Sequence, residues 1–174
     1  MQAPTHVLTG VIIEQLCRRT QPPWVKAVIL CGSALLSHSI LDRLARLTYH
    51  PPEPDFSSFF WVSYHLGVLA ALIVFLRWFW KAYRYGIIFS VLPDLDWVIK
   101  HGYSVLGISP DFYNRPYLHT LIHWVSDHIP VLNHLQYLPD YTAYRQGALL
   151  EASLVVILLG IACRMHLWRH FREV

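Results

Sequence analysis

Residues 58 to 80 read SFFWVSYHLGVLAALIVFLRWFW. From Ser58, about 19 residues pass before the first formal charge at Arg77, enough helix to cross roughly 30 Å of hydrocarbon. The stretch reads as a membrane span, so lipid rather than water is expected to be the main solvent of the chain. Composition agrees, with 55% of the 174 residues hydrophobic and only 14% charged, an unusual balance for a soluble domain. By length the chain, 1 to 174, is a single domain.

A second apolar run, GALLEASLVVILLGIAC at residues 147 to 163, is interrupted only by Glu151 near one end, where a carboxylate is expected to reach the headgroup region. The stretches WVKAVILCGSALLSHSIL (24 to 41) and YGIIFSVLPDLDWVI (85 to 99) are shorter and carry polar residues near their far ends, and both read as spans. The N-terminal THVLTGVIIEQLCRR has an apolar run like that of a signal peptide, but its charges follow the run and no small-residue cleavage site is evident. It is expected to stay attached as a partial or tilted helix. The expected fold is therefore all-α, a polytopic membrane helical bundle with four to five membrane segments (5 to 17, 24 to 41, 58 to 80, 85 to 99 and 146 to 168). A short interfacial helix is expected over 117 to 128, between Pro116 and Pro130.

With five segments the connections alternate between two faces. One face gathers Arg18, Arg19, Lys26, Arg77, Lys81, Arg84, Arg164, Arg169 and Arg172. The other gathers Arg43, Arg46, Lys100, Arg115 and Arg145 together with Glu53, Asp55, Asp111 and Asp140. The positive-inside rule puts the first face in the cytoplasm. Despite a net charge of +3, no basic stripe with interleaved aromatics appears, which argues against a nucleic-acid partner. Cys17, Cys31 and Cys163 are scattered through apolar segments without C-x-x-C spacing, and free buried thiols are expected.

The polar residues of the membrane segments gather at one end of each. His6 opens the first, His38 and Asp42 close the second, His65 is early in the third, Asp94 and Asp96 close the fourth, and His119 and His123 follow. Taken singly, most have bland readings: an interfacial histidine for His6, a buried hydrogen-bonded pair for His38 and Asp42, caps for Asp94 and Asp96, and a snorkelling face for His119 and His123. His65 reads as a packed histidine beside the group. Convergence on one level favours a joint site.

His38 with Asp42, and His119 with His123, stand at i, i+4 spacing, which puts two donors on one helix face and suits one cation. Asp94 and Asp96 follow Pro93 at a membrane boundary, where two carboxylates repel unless a cation neutralises them. Imidazole and carboxylate donors together suit a divalent metal, zinc first, then manganese or iron. The candidate ligands are His6, His38, Asp42, Asp94, Asp96, His119 and His123. Seven exceed the needs of one ion, so some are expected to be a second metal's ligands, to orient other ligands, or, for Asp94 or Asp96, to act as a general base.

Thr5-His6 near the start, Ser37-His38 with Asp42, the Leu92-Pro93-Asp94-Leu95-Asp96 run and His119-Thr120 together resemble the membrane-bound metal-dependent hydrolases, inner-membrane proteins of the type regulated by the LexA repressor. The resemblance runs through short motifs from about residue 5 to 125. It implies a multi-span protein of a bacterial inner membrane with an intramembrane His/Asp cluster and hydrolase activity. The commoner pattern has a His-Arg-Gly-x-Thr-His-Ser run after the Asp pair, where this chain has RPYLHTLIH (115 to 123), and its His-x-x-x-Asp motif comes later than HSILD does here.

The leading expectation is a hydrolase whose site, at headgroup level on the non-cytoplasmic side, is placed for a lipid or lipid-linked substrate. The rival is a non-catalytic accessory or assembly subunit with a structural His/Asp cluster. A transporter ranks last, because polar residues do not run through the membrane depth, Glu14 excepted.

Overall fold

The computed structural model describes residues 1–51, 54–107 and 117–172. Pro116, Glu53, Asp111 and Arg115, which entered the sequence reading, lie outside these. Among the described residues there is no strand. The helices are α1 (Ala3–Leu16), α2 (Pro23–Leu44), α3 (Phe59–Val91), α4 (Leu95–Val105), α5 (Tyr117–Asp127), the four-residue α6 (Pro130–Asn133) and α7 (Gly147–Arg172). The all-α expectation holds, and the helix expected over 117 to 128 is α5.

Among the described residues, three helical stretches are long and apolar enough to cross a membrane: Pro23–Leu47, Phe59–Lys100 and Gly147–Trp168. Their outward faces carry Val28, Leu66, Leu69, Ile73, Val156 and Ile157, all exposed, a distribution suited to lipid and not to water. Proline opens α2 at Pro23, where a missing N–H costs nothing. Ser58 caps α3, its hydroxyl accepting the Trp61 N–H at 3.3 Å.

The segments expected separately at 58 to 80 and 85 to 99 are joined. Helix α3 continues to Val91 with one non-helical residue, Tyr83 (φ −137°, ψ 33°). A straight helix of 33 residues would hold its ends roughly 50 Å apart. Near its start, however, the Tyr64 ring packs on Tyr49 at 5.4 Å, and just beyond its end Asp94 lies 3.7 Å from His38. Both contacts are at the end of the bundle where α2 closes, so the chain bends back at Tyr83.

A break at the buried Tyr83 leaves following backbone N–H groups without helical acceptors, and inside the packed bundle these must be met by protein groups. Glu14 of α1 meets that need, its Oε2 accepting the Gly86 N–H at 2.7 Å. Close approach makes the bond reachable, because a Cβ on either Gly10 or Gly86 would overlap the other's carbonyl. Glu14 is thus spent on the backbone, away from the polar cluster. Around this crossing, Val7, Leu8 and Val11 of α1 pack with Phe75, Phe79 and Ile87 of α3 and Ala162 of α7. Helix α1 is the central strut, touching α2, α3 and α7, and it carries His6 at its first turn.

Candidate metal centre

Four chain segments meet at the end of the bundle opposite the Tyr83 bend. Helix α1 brings His6, α2 brings His38 and Asp42 one turn apart, the 3-10 turn Leu92–Asp94 brings Asp94, and α5 brings His119 and His123. Asp42 is the hub. Its Oδ1 lies 3.4 Å from His6 Nε2, and its Oδ2 lies 3.1 Å from His38 Nε2, 3.4 Å from His119 Nε2 and 3.8 Å from His123 Nε2. The Met1 amine is 3.5 Å from Oδ1. Asp94 Oδ1 approaches His38 Nε2 at 3.7 Å and His119 Nε2 at 3.9 Å.

Proton positions sharpen this picture. His38 Nδ1 lies 2.7 Å from the Ser90 carbonyl oxygen, which can only accept, so Nδ1 carries a proton and Nε2 of the neutral ring presents a lone pair. The Trp97 indole N–H, which can only donate, reaches His119 Nε2 at 3.2 Å, so that nitrogen is unprotonated too, and its one lone pair must turn from the indole to bind an ion. These two nitrogens are 3.3 Å apart, and both face Asp42 Oδ2. Lone pairs cannot hydrogen-bond one another, so the arrangement calls for a cation among them, either an added proton or a metal ion.

His6 points to the same need. Neither of its ring nitrogens makes a well-aligned hydrogen bond among the described residues, Nε2 meeting the Asp42 carboxylate at 3.4 Å, although the residue is 1% exposed, and its ring stacks on that of His38 at 4.1 Å. Charging both stacked rings by protonation would set like charges face to face, whereas one divalent ion takes both lone pairs without that repulsion. The donor atoms of His6, His38 and Asp42 lie within 4.8 Å of one another, as do those of His38, Asp94 and His119. Nitrogen and carboxylate oxygen are the ordinary donors for such an ion, so the residues fit a metal.

Two of the seven sequence candidates stand apart from the inner group. Asp96, buried at 3% exposure, turns to the backbone of α5, its Oδ2 accepting the N–H groups of Leu118 at 2.5 Å and His119 at 3.0 Å. It does for α5 what a capping residue does, and its distance to the His119 ring is 3.9 Å. His123 is at the rim, about one-third exposed. Asp94 belongs to the inner group but reaches the rim, with 38% exposure of its side chain. His65 stays outside the group, stacked on Trp61 at 4.0 Å with Nδ1 against the Trp61 carbonyl.

Sequence reading passed over a supporting network. Ser39, next to His38, bonds Ser126 at 2.8 Å and lies 3.4 Å from His123 Nδ1. Arg43 donates to Ser126 at 2.9 Å, to the Leu132 carbonyl at 3.3 Å and, in an ion pair, to Asp127. The bonded guanidinium of Arg43 holds the Asp127 carboxyl below the usual carboxylate range. Ser39 and Arg43 are four apart on α2, and His119, His123 and Ser126 share one face of α5. The i, i+4 and i, i+3 spacings of these polar residues are the sequence signal for the network.

Comparison with protein-family models, with curated proteins and with solved structures gave no match.

Proposed function

We propose that this chain is a membrane-embedded, metal-dependent hydrolase acting on a lipid or lipid-linked substrate, with zinc as its metal. What carries the reading is the convergence of the His38 and His119 lone pairs on Asp42, with the orphaned His6 ring beside them. His6, His38, Asp42 and His119 hold the ion, with His123 closing the rim. A divalent ion in such a site supplies Lewis-acid activation of water and of the bond to be cleaved. Asp94, partly exposed and at the longest distances of the inner group, takes up the proton at its carboxylate as general base. Asp96 is a positioning residue here, holding the first turn of α5 and so the His119 ring.

The lipid assignment rests on α4 and α5. On α5 the inward face carries His119, His123 and Ser126, while Leu121, Trp124 and Val125 point outward and are exposed. On α4 Leu95, Val98 and Ile99 are exposed. Apolar outer faces on short helices at the rim fit the boundary between headgroups and acyl chains, and the rim residues Asp94 and His123 open at that level. In this reading the Phe59–Lys100 stretch crosses as two limbs about Tyr83, the second a partial span, and α1 adds another partial span. The site then faces the non-cytoplasmic side of a bacterial inner membrane.

The test is turnover by zinc-loaded protein in liposomes, using lipid phosphoesters, esters and amides beside their water-soluble headgroup analogues. Hydrolysis of a lipid substrate that Asp94→Asn abolishes is the expected result. Turnover of soluble substrates alone would overturn the lipid assignment. A zinc-loaded, folded protein that hydrolyses nothing in the series would favour the accessory-subunit reading.

A further inference from the structure

The other inner histidines are fixed from outside the centre: the Ser90 carbonyl holds His38 at Nδ1, and Asp96 holds the backbone of His119. The His6 ring has no such outer hydrogen bond among the described residues, its Nδ1 being unpartnered and its Nε2 meeting the Asp42 carboxylate at 3.4 Å. A ligand whose ring is not held must be held through its backbone, because metal ligands need their orientation fixed by an outer layer of contacts.

Such a hold exists on the other side of α1. Glu151 is 2% exposed within the apolar first part of α7, residues 147 to 163, buried instead of reaching for the headgroups as its sequence context suggested. Its Oε1 accepts the Gln2 backbone N–H at 2.8 Å and the Thr5 hydroxyl at 2.9 Å. Gln2 is the N-cap of α1 and Thr5 its third helical residue. In a capping box, a glutamate at that third position would reach back to the N-cap N–H. Here a glutamate from a different helix takes that role, and the threonine hydroxyl joins it. The negative charge also complements the positive end of the α1 dipole, which helps offset the cost of burying a carboxylate in an apolar helix. His6 follows Thr5 directly, and both are buried.

We infer that the Glu151–Thr5 clamp is the positioning device for His6, fixing the first turn of α1 so that the His6 imidazole stays aimed at the ion shared with Asp42. The inference rests on the metal-centre reading above. It gives the Thr of the Thr5-His6 pair a role: its hydroxyl ties the ligand's helix to α7, while the ligand itself faces the opposite way, towards α2.

The test is zinc affinity, measured by competition with a chromophoric chelator on the full-length protein in detergent, with the melting temperature of each metal-free protein measured alongside. Glu151→Ala and Thr5→Val are expected to weaken zinc binding roughly 10- to 100-fold, while Thr5→Ser, which keeps the hydroxyl, stays near wild type. Combining Glu151→Ala with His6→Ala is expected to bind zinc no more weakly than His6→Ala alone, because the clamp acts through that ring. A purely structural glutamate would weaken both backgrounds equally, and that result would overturn the inference. Unchanged affinity in Glu151→Ala would overturn it as well, leaving the metal centre standing. If Glu151→Ala does not fold, the Thr5→Val and Thr5→Ser pair decides by the same comparison in the His6→Ala background. A wild type that takes up no zinc would overturn the metal centre and the clamp together.

Discussion

His38 Nε2 lies 3.1 Å from Asp42 Oδ2, while its Nδ1 lies 2.7 Å from the Ser90 carbonyl oxygen. The carbonyl sets the tautomer and the carboxylate marks where the free lone pair points, one helical turn along α2. Because Asp42 also faces His6, His119 and His123, it is the residue whose charge the whole cluster shares. Asp42→Asn keeps the shape but turns an amide towards lone pairs and removes the charge. Zinc affinity is expected to fall by more than the roughly 10- to 100-fold that marks an outer-layer contact, as read by chelator competition.

Asp96 is expected to behave differently from Asp94. It accepts two first-turn N–H groups of α5, so Asp96→Ala should cost about 1 kcal/mol of stability, as for a lost helix cap. Full zinc occupancy should still be reached at saturating metal. Asp96→Asn, which keeps an acceptor oxygen, should lie between Asp96→Ala and wild type in a thermal melt.

The Arg43–Asp127 pair sets an acid limit on the α2–α5 contact. The Asp127 carboxyl titrates below its ordinary value because of Arg43, so the folded state holds its proton less tightly than the unfolded chain does. The pair's stabilisation is full above the unfolded pKa of about 3.9 and is lost as pH falls through the folded value. Wild type should melt above Asp127→Asn at pH 6, and the gap should close as pH falls below about 4. A gap that stays constant to pH 3 would contradict this.

The crossing of α1 and α3 leaves no room for a side chain. Gly86→Ala would push a methyl into the Gly10 carbonyl and the Glu14 side chain, and is expected to cost about 1–3 kcal/mol. At roughly 2–4 °C per kcal/mol for a chain of this size, the melting temperature should fall measurably. Gly32, whose added Cβ would meet nothing within 4 Å, is the control, and Gly32→Ala should melt at or slightly above wild type, alanine being the better helix former.

The two i, i+4 pairs and the carboxylate after Pro93 were legible in the sequence because helical spacing alone puts those donors on shared faces. The division between Asp94 and Asp96 was legible in principle, since residues two apart on helical backbone point in different directions, and here one faces the centre while the other faces α5. The bend at Tyr83 was not. The basic and aromatic stretch around it read as a loop between two spans, whereas a single non-helical residue suffices because Glu14 serves the freed Gly86 N–H from another helix. Glu151 reaching Thr5 across 146 positions leaves no local trace either. Its place in an apolar run is equally compatible with a carboxylate rising to the headgroups.

The most direct measurement is metal content by inductively coupled plasma mass spectrometry on detergent-purified protein, wild type beside His38→Ala, Asp42→Ala and His119→Ala. Bound zinc near one equivalent per chain in the wild type, lost in all three variants while each retains its helical circular dichroism, is the expected result. A folded wild type that carries no zinc, manganese or iron and takes up none when it is added would contradict the metal centre.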